Sequence, residues 1–327
     1  MILEILAAAF VLALISTSVS HAASIIVAAS NSSTESKDRA DFICDGTNDQ
    51  VKLLESITRA NRVTTKVDTA PAVQKSVECF GRHSVEWVPG DYYLGETLTI
   101  PDAADVAIHA EGTYFHYIPK EGDAVVVTGM NRCRYYFGTI ESNSSGAAIL
   151  VKPTAEMPAL MSFLNFTGLL GSEQRGTGLY LDSTQSGVCC NRFEGTDIMG
   201  FDTGVFVSDA IAKCDTNWFW FSYIRMCNTG IQELGKGVDD NVWNVNVDAS
   251  IPDSLSLRTA ATHGKWYVIM GTWTFEGVNK AVILDPGASQ NVIEVHPPLE
   301  DFAWEDNSGN NTNIILTAKR YLNAQCC

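Results

Sequence analysis

The sequence predicts an all-β chain wound as a right-handed parallel β-helix, closed near its N-terminus by a capping helix. Three observations carry that prediction. Thr177-Gly178-Leu179-Tyr180-Leu181, Thr203-Gly204-Val205-Phe206-Val207 and Thr229-Gly230-Ile231-Gln232-Glu233 repeat one phrase, with the glycines 26 residues apart each time. Asn191-Arg192-Phe193-Glu194, Asn217-Trp218-Phe219-Trp220 and Asn241-Val242-Trp243-Asn244 repeat a second phrase at spacings of 26 and 24 residues. Between these phrases no stretch has helical periodicity, so each unit holds only short apolar strands bounded by Gly, Asn or Asp. Such a unit buries its apolar side only by stacking on its neighbours, which is the logic of a solenoid.

Met1 to Ala22 holds an apolar run, Ile5 to Ile15, followed by small residues at Ser20 and Ala22. It reads as a secretory signal cleaved after about Ala22, because the run is shorter than the ~20 residues of a membrane-spanning helix. The expected location is therefore extracellular. Ser24 to Ala29 reads as a strand. Behind Asp45-Gly46-Thr47-Asn48-Asp49, the residues Val51, Leu53, Leu54 and Ile57 stand at helical spacing, with Asn48 or Asp49 as the N-cap. This helix is expected to cover the open end of the solenoid. The polar stretch from Ser56 to Ser84 fits no strand pattern. Val85-Glu86-Trp87-Val88-Pro89-Gly90-Asp91-Tyr92-Tyr93-Leu94 and Leu98-Thr99-Ile100-Pro101 then begin the strands.

The segments Val27–Ile57 and Val85–Pro101 resemble the opening of the pectate-lyase-like superfamily of right-handed parallel β-helix proteins. There a "DG..ND" helix caps the fold and a "PG.Y" segment starts the coils. The resemblance implies polysaccharide chemistry, by lyase or glycoside hydrolase, or else a non-catalytic adhesive, envelope or virion spike role. The expected divisions of the chain are the signal (1–22), an N-terminal strand, helix and loop (23–84), the coils (85–300), and a C-terminal strand and tail (301–327).

Farther along, Ala124–Val127, Ala148–Val151, Ala281–Leu284 and Asn291–Glu294 continue the beat, Pro297-Pro298 breaks it, and Asn313–Leu316 is a last strand. Period-2 alternation places Phe193, Phe219, Trp243 and Tyr267 inward as an aromatic column, with Phe221, Val245 and Ile269 as the next. Glu194, Trp220 and Asn244 then face outward. A one-residue slip would exchange the two sets.

Over its 327 residues the chain carries a net charge of −16 and 46% hydrophobic residues. Such a surface repels nucleic-acid phosphates and anionic membranes, and the polysaccharide expected as partner is the one the superfamily resemblance implies. Nine cysteines fit an oxidising compartment. Cys190 and Cys214 fall in the same turn region of adjacent coils. Coils lie ~4.8 Å apart, within the ~4.4–6.8 Å that a disulfide spans, so Cys214 is expected to bond Cys190, with Cys189 as the competing partner.

Two constellations could carry chemistry, and a third, the tryptophans Trp218, Trp220, Trp243, Trp266 and Trp273, could place outward rings against sugars. Asp239-Asp240 is followed about one coil later by His263-Gly264; in the superfamily's hydrolase branch such elements do acid/base work at the sugar bond. This chain lacks that branch's flanking Asn-x-Asp and Arg-x-Lys, and the plainer alternative is turn carboxylates beside a surface histidine. The second is a lyase set, in which a base removes a proton and a cation, Lys or Arg with or without Ca²⁺, stabilises the enolate. Lys265 is the catalytic cation expected there. Asp182, Arg192, Glu194, Arg225, Asn244 and the outward Trp220 are expected to hold substrate, the indole against the apolar face of a sugar. No protein-bound metal or organic cofactor is expected apart from that Ca²⁺.

Overall fold

A computed structural model describes residues 24–66, 83–208, 213–235, 237–248, 254–270, 280–296 and 303–317. The signal segment, Cys79, Trp273, Pro297-Pro298 and the tail from 318 onward lie outside the described residues. Among those described, the chain winds as a parallel β-solenoid of about 8 turns. One coil shows the plan: Arg134–Ser142 lies in a long sheet, Ala147–Val151 in a second, and Ala159–Leu160 in a third. Stacked coils give sheets of 13, 9 and 6 strands. The N-terminal strand Ile25–Ala28 pairs in parallel with His83–Trp87, and the last strand, Ile314–Thr317, pairs with Val292–His296.

Two helices precede the coils, α1 (Thr34–Arg39) and α2 (Gln50–Lys66). Ser33 caps α1, its hydroxyl accepting the Ser36 N–H. Helix α2 packs on Ile25–Ala28, His83–Trp87 and Leu98–Ile100, and buries Leu53, Ile57 and Ala60. Val51 and Leu54 do not join that stripe; both are exposed. The carbonyl of Asp49 opens the helix by accepting the Leu53 N–H. Its buried carboxylate instead accepts the N–H groups of Gly46 and Tyr93, which ties the Asp45–Asp49 turn to the first coil.

The glycines of the first repeat are required by close approach. A Cβ on Gly178 would lie 2.6 Å from the carbonyl oxygen of Gly204, and one on Gly204 would lie 2.6 Å from that of Gly230. The three therefore stack on successive coils, between the paired rows Thr177, Thr203, Thr229 and Leu179, Val205, Ile231. Within the lumen, Phe193, Phe219 and Trp243 stack face to face, with centroids 5.2 and 3.7 Å apart. The fourth ring is Trp266, 4.8 Å beyond Trp243 and tilted by 3°, in place of the expected Tyr267. Tyr267 pairs with the outward Asn244, and Val268 rather than Ile269 pairs with Val245. The coil is shorter here, so the 24–26-residue period overshoots by one position.

The asparagines of the second repeat form a buried ladder at the bend between the third and the long sheet. The Ser162 N–H donates to Asn191 Oδ1, that of Asn191 to Asn217, and that of Asn217 to Asn241, at 3.0–3.1 Å. Asn291 and Asn313 continue it beyond Gly264, which occupies the equivalent position without a side chain. An added Cβ at Gly264 would meet Trp266 Nε1 at 2.6 Å and Asn291 Oδ1 at 2.7 Å. With no acceptor there, Asn241 Nδ2 turns to Glu233 Oε1 at 2.8 Å.

The expected disulfide does not form. Cys214 pairs with Val188 and faces the lumen, fully buried, whereas Cys189 pairs with Asp215 on the outer face and Cys190 is exposed at the bend. Cys214 thus lies on the lumen side of the wall and Cys189 and Cys190 on the outer side. The described cysteines, Cys44, Cys133, Cys189, Cys190, Cys214 and Cys227, are free thiols. Among the described residues, no helix is long and apolar enough to cross a membrane.

Candidate functional site

The ladder fixes the backbone just before each long-sheet strand, and the residue preceding each ladder position takes a left-handed conformation. This corner column includes Arg132, Met161, Cys190, Thr216, Asp240 and His263, with φ between 47° and 58°. Non-glycine residues enter that region at a cost of roughly 1–2 kcal/mol, here held by the ladder bonds on either side. The consequence is that Asp240 and His263 stand on the outside of the same bend, one coil apart.

Asp239 completes the group. Its Oδ1 accepts from His263 Nδ1 at 2.8 Å, from Thr262 Oγ1 at 2.9 Å and from the Asp240 N–H at 3.0 Å. The Asp239 hydrogen bond raises the His263 pKa above its ordinary value, assisted by Gln290 and by the charge of Asp240. The imidazole thus keeps its proton to higher pH, with Nδ1 committed to Asp239. One ligand atom from each of Asp239, Asp240 and His263 lies within 4.8 Å of the others. Ca²⁺ takes oxygen ligands, so the imidazole nitrogen of this group suits it poorly.

Past the corner, the outer face of the long sheet carries two columns. The first runs Arg134, Phe163, Arg192, Trp218, Val242, Lys265, and the second runs Tyr136, Asn165, Glu194, Trp220, Asn244. Trp218 and Trp220 share one strand and one face, and remain 58% and 55% exposed. Arg192 forms an ion pair with Glu194, and its guanidinium lies 5.8 Å from the Phe163 ring centroid. An open depression of about 490 Å³ lies where the corner meets this face, between Arg132, Arg134, Phe163, Arg192 and Trp218. A second, of about 220 Å³, joins Arg192, Glu194 and Trp220.

Arg192, Glu194, Trp220 and Asn244 therefore come together, and Lys265 stands two coils from Trp218 in the same column. Asp239, Asp240 and His263 gather at the neighbouring corner. Arg225 lies farther along the long sheet in a bidentate pair with Asp197, at 3.0 and 2.5 Å, exposed but engaged. Asp182 does not join the group. It is buried at the end of a second-sheet strand, where it accepts from Thr184 and lies 3.4 Å from Lys152 Nζ. Sequence reasoning missed Phe163, Arg134 and Arg132, and among the tryptophans it singled out Trp220 over Trp218. The alternation that put Trp220 outward applies equally to Trp218, so that signal was present; the left-handed corner holding Arg132 leaves no composition mark.

Comparison with family models, curated proteins and solved structures returns no match.

Proposed function

We propose that this protein is a secreted β-helix that binds an extracellular polysaccharide on the outer face of its long sheet, with hydrolase or lyase chemistry at the adjoining corner. The observation that carries the reading is the pair of exposed indoles, Trp218 and Trp220, set beside the Arg192–Glu194 ion pair. Large apolar side chains on an outer face are costly to leave wet, and flat indoles match the C–H faces of sugar rings. Secretion rests on the apolar Met1–Ala22 segment.

The corner supplies proton chemistry. Asp239 orients His263 and favours its protonated form, so that Nε2 can deliver a proton to a departing glycosidic oxygen. Asp240 is the neighbouring carboxylate to act as base. For hydrolysis the base takes a proton from water as the water attacks the anomeric carbon. For elimination it takes the proton beside a uronate carboxylate, and Lys265 would stabilise the resulting enolate.

A non-catalytic adhesive role is favoured by one observation: His263 and Asp240 are exposed on an open bend, without the closed, water-excluding walls that strengthen catalytic electrostatics. One experiment addresses both readings. The purified protein is incubated with uronic-acid and neutral polysaccharides, and pull-down, reducing ends and unsaturated-product absorbance are measured. Binding with turnover that disappears in Asp240→Asn and His263→Ala supports the enzyme. Binding without turnover supports the adhesin, and no binding to any polymer removes the polysaccharide reading.

A further inference from the structure

We propose that the depression at the corner of the long sheet takes an anionic glycan, its carboxylate or sulfate groups held by Arg134 and Arg192 and its sugar rings by Phe163 and Trp218. The inference rests on the polysaccharide reading above and specifies the substrate class for that face. Its starting point is a local concentration of cations. The chain as a whole carries −16, yet this depression is lined by three arginines and no carboxylate, the paired Asp105 and Glu194 standing outside its lining.

Arginine is the cation suited to this task, because its planar fork matches carboxylate and sulfate oxygens in a bidentate way. The arrangement is also preorganised. Arg132 is held by Asp105 through two hydrogen bonds of 2.8 and 2.7 Å, and Arg192 is paired with Glu194 beside the Phe163 ring. Holding each guanidinium in place reduces the ordering cost when a ligand arrives.

Spacing supplies direction. Arg134, Phe163, Arg192 and Trp218 occupy one outward column on four successive coils, so cation and aromatic ring alternate at the ~4.8 Å strand spacing. A linear polymer laid along the solenoid axis would meet a ring-binding surface and a charge-binding group in turn. Neutral glycans would use the rings alone. Anionic polymers without sugar rings would use the arginines alone, against the long-range repulsion of an acidic protein.

The test compares immobilised alginate, dextran sulfate, neutral dextran and poly-glutamate for binding to the wild-type protein, to the double variant Arg134→Gln/Arg192→Gln, and to Trp218→Ala. All three side chains are exposed, and unchanged thermal unfolding would confirm that the variants fold. The expected result is that alginate or dextran sulfate binds at least tenfold more tightly than dextran and poly-glutamate. That preference should fall at least tenfold in the double variant and weaken with added salt. Which acidic polymer binds best identifies the carboxylate or the sulfate as the recognised group. Equal binding of dextran, lost only in Trp218→Ala, would overturn the inference while leaving the polysaccharide reading in place. Poly-glutamate binding as tightly as the acidic glycans would overturn it as mere charge attraction, and failure of every glycan to bind would remove both.

Discussion

Glu233 occupies a position that its neighbours, Thr259 apart, give to aliphatic side chains. The same inward column of the second sheet reads Val127, Val151, Leu181, Val207, Glu233, Thr259 and Leu284. The carboxyl is fully buried, and loss of hydration pushes its pKa from an ordinary 4.5 up to about 7. Asn241, Trp243 and Thr259 draw it back only in part. In the unfolded chain the proton leaves as pH rises past 4.5; in the folded chain it stays until about 7. The native state therefore binds more protons across this window, and stability falls as pH rises through it. The interval corresponds to roughly 3 kcal/mol, fully present as a penalty above pH 7 and absent below 4.5. Denaturant unfolding followed by tryptophan fluorescence, at steps from pH 4 to 8, compares wild type with Glu233→Gln. The stability difference should shift by about 3 kcal/mol in favour of the variant as pH rises across the window. Parallel pH dependences in the two proteins would refute the reasoning.

Three further outcomes are expected. Gly204→Ala should cost about 1–3 kcal/mol and lower the melting temperature, because its Cβ would press on the Gly230 carbonyl and on Ile224; calorimetry measures this. Among the described thiols, exposed Cys190 should alkylate first in the native protein, while Cys214 stays unlabelled until unfolding, since burial raises its pKa well above the ordinary range; mass spectrometry of the labelled peptides decides. The imidazole NMR titration of His263 should return toward its ordinary value in Asp239→Asn, because Asp239 is the main cause of its raised pKa. The pair's contribution to stability is present below the ordinary histidine pKa and is lost as pH rises through the folded one.

What the sequence disclosed followed the repeat as far as its spacing held. Gly178, Gly204 and Gly230, the inward rings up to Trp243 and the outward Trp220 are legible because equal spacing preserves both stacking and parity. The alignment slipped at Trp266, where the ladder residue is Gly264 and no asparagine marks the coil. The cysteine pairing failed because distance along a coil was considered without the alternation that turns Cys214 inward and Cys189 outward. Glu233 was visible in the repeat, aligned with Val207, but its role depends on the missing amide at Gly264 one coil on, and only three-dimensional contact joins them. The gathering of Asp239, Asp240 and His263 was foreshadowed by the one-coil interval. Asp182 was suggested by its acidity alone, and its place beside the second sheet, apart from the other candidates, was not considered.

The gap at Gly264 gives the solenoid a weak joint. In a stack where each turn contacts only its neighbours, cooperativity passes from one coil to the next, and the asparagine amides are part of what transmits it. From Ser162 to Asn241 the transmission is side chain to backbone without a break; at the next coil no asparagine amide continues it, and the Trp243–Trp266 stack, the strand pairing and the bonds of Asp239 to Thr262 and His263 carry the contact. A partly melted or stretched molecule would then shed its last coils as one block, leaving the coils with the tryptophan pair and the arginine column standing. The outer face would thus outlast the end of the helix that follows it.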